Sequence, residues 1–172
     1  MQNARHPKTH RELCELACRF LRNNGFKVVF GDRFHAWTPC GEHPDALGFR
    51  NGASCLIEVK CSRSDFLADR KKVFRAESEK GMGDWRFYLC EPGVITVDDL
   101  PAGWGLLYVI NGRVRKVHGW PGNHQWVVTV AKPFRANKQA ECDYLFSALR
   151  RLEIRAVTEN GADADRVQIY GL

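Results

Sequence analysis

The stretch His43–Lys72, HPDALGFRNGASCLIEVKCSRSDFLADRKK, decides how the rest of the chain is read. Asp45 opens a short apolar segment, Asn51-Gly52 is a dipeptide suited to a two-residue hairpin turn, and SCLIEVKC returns as a strand. Side chains alternate along a strand, so Cys55, Ile57, Val59 and Cys61 point one way while Leu56, Glu58 and Lys60 point the other. Glu58 and Lys60 thus share a face, and a twisted hairpin brings Asp45 beside them. Burying two acids and a base in an apolar hairpin is costly unless they are paired or hold a metal. A divalent cation with oxygen ligands answers that cost, with Asp45 and Glu58 as ligands, the Val59 carbonyl between them and Lys60 alongside. The plainer reading makes Glu58 and Lys60 a solvated strand face with a surface ion pair.

Pro44-Asp45 followed by Glu58-Val59-Lys60 resembles the PD-(D/E)xK nuclease superfamily. The resemblance implies a restriction-endonuclease-like core, Mg²⁺ (or Mn²⁺) held by Asp45, Glu58 and the Val59 carbonyl, and phosphodiester hydrolysis with Asp45, Glu58 and Lys60 as catalytic residues. The order and spacing of EVKCSRSDFLADRKK, GDWRFYLCEPGV and LPAGWGLLYV are similar to the MmcB-type DNA-repair proteins, in outline over residues 12 to 155. Cys61 departs from the small hydroxyl residue more usual after the lysine. It leaves the ligand set intact and removes any contact that hydroxyl makes.

A helix is expected from Ser62-Arg63-Ser64 onward, with Ser64 as cap, through DFLADRKKVF. Phe66, Leu67, Val73 and Phe74 fall on one face, and Arg63, Arg70, Lys71 and Lys72 surround it with positive charge, the candidate nucleic-acid contacts.

Working outward, Thr9-His10-Arg11-Glu12 has the form of a capping box, and Leu13, Leu16, Ala17, Phe20 and Leu21 repeat at helical spacing up to Asn24-Gly25. Glu12 has two readings: a helix cap, which the capping box favours, or an additional acid near the metals, which the resemblance suggests. FKVVFGDRF reads as the first strand, and the loop HAWTPCGEH borders the proposed site. Its His35, Trp37 and His43 can stack on a base or simply pack. DWRFYLC is a buried strand, EPGVITVDDLPAGW a Pro/Gly-punctuated connection, and WGLLYVI with RVRKVHGW a second hairpin about Asn111-Gly112. Arg113, Arg115, Lys116 and His118 on its outgoing arm suit phosphates or an edge strand protected by charge. HQWVVTVAKPFRANK suggests a short strand, then a core helix with Ala140, Tyr144, Leu145, Ala148, Leu149 and Leu152 on one face. RVQIYGL at the end either adds a strand or stays loose.

These elements give one α/β domain over residues 1–172, a mixed central sheet flanked by helices, with its core at about 9–155 and 156–172 as a loose C-terminal extension. The charge of +6 fits a polyanionic partner, here DNA, and also fits mere solubility. No apolar run is long enough to cross a bilayer and the N-terminus has no signal-peptide core, so the expectation is a cytoplasmic protein with no membrane partner. Seven cysteines without paired CxxC spacing argue for reduced thiols over a zinc site. The leading expectation is a Mg²⁺-dependent DNA nuclease of repair or processing. A catalytically silent nucleic-acid- or protein-binding module of the same fold and an RNA-directed nuclease are the alternatives.

Overall fold

The computed structural model describes residues 8–69, 71–72, 75, 77–127 and 130–160, the last eight of them by backbone alone. Helix α1 (His10–Asn23) opens the domain, and its capping box forms as the sequence implies, with Thr9 and Glu12 bonded reciprocally. Its apolar stripe, Leu13, Leu16, Ala17 and Leu21, is buried on one face of the sheet, and Gly25 at φ 87° ends it. Strands β1 (Val28–Gly31), β2 (Ala46–Arg50) and β3 (Ala53–Lys60) follow as an antiparallel meander. Helix α2 (Arg63–Asp69) crosses over to β4 (Trp85–Cys90), parallel to β3, and β5 (Gly105–Ile110) continues parallel before β6 (Arg113–His118) turns back. Strand order in space equals chain order, giving a six-stranded mixed open sheet with helices packed on it. Helix α3 (Lys138–Asn160) closes the chain of elements.

Both expected hairpins form. The Arg50↔Ala53 and Ile110↔Arg113 pairings leave two-residue loops at Asn51-Gly52 and Asn111-Gly112. In the second loop both residues have positive φ, 54° and 74°, the backbone that makes Asn-Gly favourable there.

The alternation expected for β3 separates two cores. Cys55, Ile57 and Val59 join α1, Phe26, Trp85, Phe87 and Trp126 on one face. Leu56 joins Phe66, Tyr88, Trp104, Leu106 and Tyr144 on the other. Each large apolar side chain removed from water contributes about 1.5–3 kcal/mol before entropy is counted, so these two layers hold the sheet. All eight residues of β3 are buried, which excludes the solvated-face reading of Glu58 and Lys60.

Three local expectations need correction. Helix α2 begins under Ser62, whose Oγ accepts from the Asp65 N–H at 3.2 Å, rather than under Ser64, and it ends at Asp69 instead of running through Phe74. Leu67 is exposed, and Val73 and Phe74 lie outside the described residues. Around HQWVV the described residues form a 3₁₀ turn, Asn123–Trp126, and no strand; the turn drives Trp126 between Trp85, Trp120 and Phe26. Among the described side chains of α3, Ala140 and Tyr144 are buried, whereas Leu149 and Leu152 are half exposed or more. Ala148, Arg151 and Leu152 line an open cavity against α1 and β1, so this periodic face is not packed there. RVQIYGL lies outside the described residues. Among the described residues no helix is long and apolar enough to cross a membrane.

Candidate active site

The antiparallel register pairs Ala46 with Ile57, so Asp45, one residue earlier, comes opposite Glu58. Directly opposed residues share a face. The fold therefore brings Asp45, Glu58 and Lys60 together at the C-terminal end of β3, where open α/β sheets place their ligand sites. Asp45 is fastened from two sides: Oδ2 accepts the Val59 N–H at 2.8 Å, and Oδ1 lies 3.1 Å from His10 Nε2 of α1. Burial, and then the charge of Glu58, push its carboxyl up to about 6 from an ordinary 3.8. The two carboxylates thus repel across the hairpin, with less compensation at Asp45 than a stable anion needs.

Glu58 is better compensated. Arg75 Nη2 lies 3.0 Å from its Oε1, and Lys60 Nζ 3.4 Å from its Oε2. Lys60 also lies 3.3 Å from Asp69 Oδ1, so one ammonium joins the strand carboxylate to the last residue of α2. Arg75 extends the network to Asp69 at 2.9 Å and to Glu42 at 2.6 Å, and Glu42 in turn accepts the Met82 N–H. Tyr88, beside Glu58 on β4, donates its hydroxyl to Asp69 Oδ2 at 3.1 Å. Glu58, Lys60, Asp69 and Glu42 are almost wholly excluded from water.

The electrostatics follow from this packing. Burial raises the Asp69 carboxyl, but Arg75, Lys72 and Lys60 outweigh it and hold it well below the usual carboxylate range. Burial alone depresses Lys60, yet Glu58 and Asp69 reverse the sign and hold its amine above the ordinary lysine value. Lys60 is therefore a fixed ammonium rather than a proton acceptor. Glu42 is raised despite Arg75, because burial and the Glu58 charge exceed that attraction.

Glu12 is engaged in the cap of α1. Its Oε2 takes both the backbone N–H and the hydroxyl of Thr9 at 2.8 Å, and those bonds hold its carboxyl below the ordinary value in open solvent. His10, two residues earlier, is the α1 residue that meets Asp45. Cys14, one turn further, lies with Sγ 3.5 Å from His10 Nδ1, and burial pushes its thiol well up. A cavity of about 640 Å³ opens between α1, β1 and α3 and reaches this cluster only through Cys14.

The expected nucleic-acid contacts divide. Arg63 turns its guanidinium onto Asp99 with bonds of 2.5 and 2.6 Å. Lys72 pairs with Asp69 at 2.8 Å while half exposed, Lys71 is exposed, and Arg70 lies outside the described residues. Trp37 in the bordering loop is 80% exposed, and His35 and His43 meet edge to face at 5.6 Å. Strand β6 is a sheet edge about 14 Å from β3 by strand spacing, and Lys116 lies over Trp120. Its charges suit edge protection better than the site. The cysteines among the described residues are free thiols, four of them buried.

No protein-family model matches the chain, and no curated protein does. Among solved structures, the chain is similar to a protein of unknown function from Silicibacter pomeroyi, with 26% identity and a TM-score of 0.58 over 94% of this chain and 99% of that one.

Proposed function

We propose that the chain is a Mg²⁺-dependent (or Mn²⁺-dependent) DNA nuclease with a restriction-endonuclease-like core, resembling the PD-(D/E)xK superfamily and its MmcB-type branch, and acting in DNA repair or processing. The observation that carries the reading is the opposition of Asp45 to Glu58 across the β2–β3 hairpin, with Lys60 on the same face. The donor set fits a hard divalent ion: two carboxylates and the Val59 carbonyl offer oxygen, and the raised Asp45 carboxyl marks a place where added positive charge is favourable. Such an ion supplies positive charge against a phosphodiester's developing negative charge.

The chain's own residues then have distinct tasks. The Val59 N–H and His10 orient the Asp45 carboxylate, and Arg75 and Lys60 hold Glu58 in place. Lys60, held protonated between Glu58 and Asp69, contributes charge near the scissile phosphate. Substrate approaches from the His10 side, because the Asp45 end of the cluster is its accessible rim. Lys71, Lys72 and exposed Trp37 are candidates for backbone and base contacts.

One observation favours a second reading, the silent binding module: both Glu58 oxygens face cations of the chain itself, Arg75 and Lys60. A buried network satisfied in this way can be purely structural. Incubation with supercoiled, linear, single-stranded and branched DNA and with RNA, in Mg²⁺, Mn²⁺ or chelator, separates these readings. Metal-dependent DNA cleavage supports the nuclease, RNA-selective cleavage changes its substrate, and binding with no cleavage of any of them supports the module.

A further inference from the structure

We infer that His10, Cys14 and Asp45 form a three-ligand site for a zinc-class divalent ion. One ligand atom from each of the three lies within 4.8 Å of the other two. Two of the three approaches are close to those a bound ion imposes: Asp45 Oδ1 lies 3.1 Å and Cys14 Sγ 3.9 Å from the same His10 nitrogen, Nε2. Ligand bonds of about 2.0–2.3 Å in a tetrahedron set neighbouring donors roughly 3.3–3.8 Å apart.

The scaffold for such a site is already rigid. His10 and Cys14 are four residues apart in α1, so they lie one above the other on the face that meets the sheet. Asp45 has Oδ2 fixed by the Val59 N–H, which leaves Oδ1 directed at His10. An outer hydrogen bond that orients a ligating carboxylate is a recurrent support of metal centres. Cys14 is fully buried and forms the floor, while the His10 side chain is half exposed and leaves an entry and a fourth position toward solvent. A thiolate, an imidazole and one carboxylate together select zinc or its near neighbours over magnesium, which takes oxygen alone. As the ion binds, the Cys14 proton leaves to solvent. Because Asp45 is common to this site and to the proposed magnesium position, zinc opposes magnesium there. The competition rests on the nuclease reading, whereas the site does not.

Cobalt(II), a zinc substitute with a visible spectrum, gives the test without DNA. It is titrated into the full chain carrying Cys61→Ser and Cys142→Ser, which removes the two exposed thiols. The expected result is one ion per chain with a thiolate-to-cobalt charge-transfer band, displaced by zinc and lost in Cys14→Ser. His10→Ala, at a half-exposed position, should weaken zinc binding by at least about tenfold, the loss expected even for a residue that only supports a ligand. A band that persists in Cys14→Ser, or unchanged zinc affinity in His10→Ala, overturns the site; the second variant decides if the first does not fold. An absent band in a protein that cleaves DNA overturns this site alone, and a cobalt band in a protein that cleaves nothing overturns the nuclease alone.

Discussion

Asp45 Oδ2 accepts the Val59 backbone N–H at 2.8 Å, so the carboxylate just before β2 is tied to the residue between Glu58 and Lys60 on β3. The bond fixes the hairpin register at the site and aims the other oxygen outward toward His10. It does so at a cost that depends on pH.

Asp45 has a folded value of about 6 against 3.8 when unfolded, so the native state binds the extra proton between those limits. The stability it contributes is fully present below pH 3.8 and is lost as pH rises through 6. Asp45→Asn keeps an acceptor for the Val59 N–H and cannot ionise. Without metal it should be more stable than wild type at pH 7, by on the order of 2–3 kcal/mol, with the difference vanishing near pH 4. Urea unfolding between pH 4 and 8 measures this, and parallel stability curves would remove the repulsion from the account.

Arg75 meets Glu42, Glu58 and Asp69, three buried carboxylates from a loop, a strand and a helix end. Arg75→Gln leaves them facing one another and should destabilise the fold by about 3–5 kcal/mol, the usual cost of breaking a buried pair. On the nuclease reading Mg²⁺ should restore part of that loss, because a cation near Glu58 replaces the missing charge. Thermal unfolding with and without Mg²⁺ is the measurement; a loss under 1 kcal/mol at pH 7 contradicts the network's role.

Much of this site was open to local reading and part of it was not. Glu58 and Lys60 share a face because strand periodicity requires it, and Asn51-Gly52 brings Asp45 opposite through the turn. The capping box of Thr9 and Glu12 is likewise a four-residue pattern, and it explains why Glu12 is occupied away from Asp45. Asp69, Arg75 and Glu42 carry no such local signal. They meet only because α2 crosses over between parallel strands β3 and β4, a contact set by packing on Tyr88 and Phe66. His10 sits inside the capping box, and its i,i+4 relation to Cys14 is the local sign that joins the two. Leu149 and Leu152 of α3 keep apolar periodicity without burial, which periodicity alone cannot report.

DNA affinity should divide the basic residues in the same way. Neutralising Arg70, Lys71 and Lys72 should weaken binding and flatten its salt dependence, each lost phosphate contact lowering the logarithmic slope by about 0.9. Arg63→Ala should change affinity little, since its guanidinium is already engaged by Asp99. Titrations at several salt concentrations check both, and a wild-type slope in the triple variant would make those residues a solvated surface.

Lys60→Met retains the stem and removes a buried ammonium. On the nuclease reading, cleavage should slow by roughly two or more powers of ten, the scale of one lost electrostatic contact in a transition state, while binding in Ca²⁺ changes little. Arg75 still faces Glu58 and Asp69, so the variant should remain folded, which circular dichroism verifies. Cleavage at the wild-type rate would take Lys60 out of the mechanism.

On the nuclease reading the Asp45–Glu58 pair holds the catalytic metal, and single-turnover cleavage by wild type and Glu58→Gln is the decisive test. Excess protein and one DNA are used in Mg²⁺, with binding measured in parallel in Ca²⁺. Wild type should cut, chelator should stop it, and Glu58→Gln should bind but lose at least about two powers of ten in rate. Cleavage undiminished in Glu58→Gln, or tight binding by wild type with no cut in any form of DNA, would contradict it.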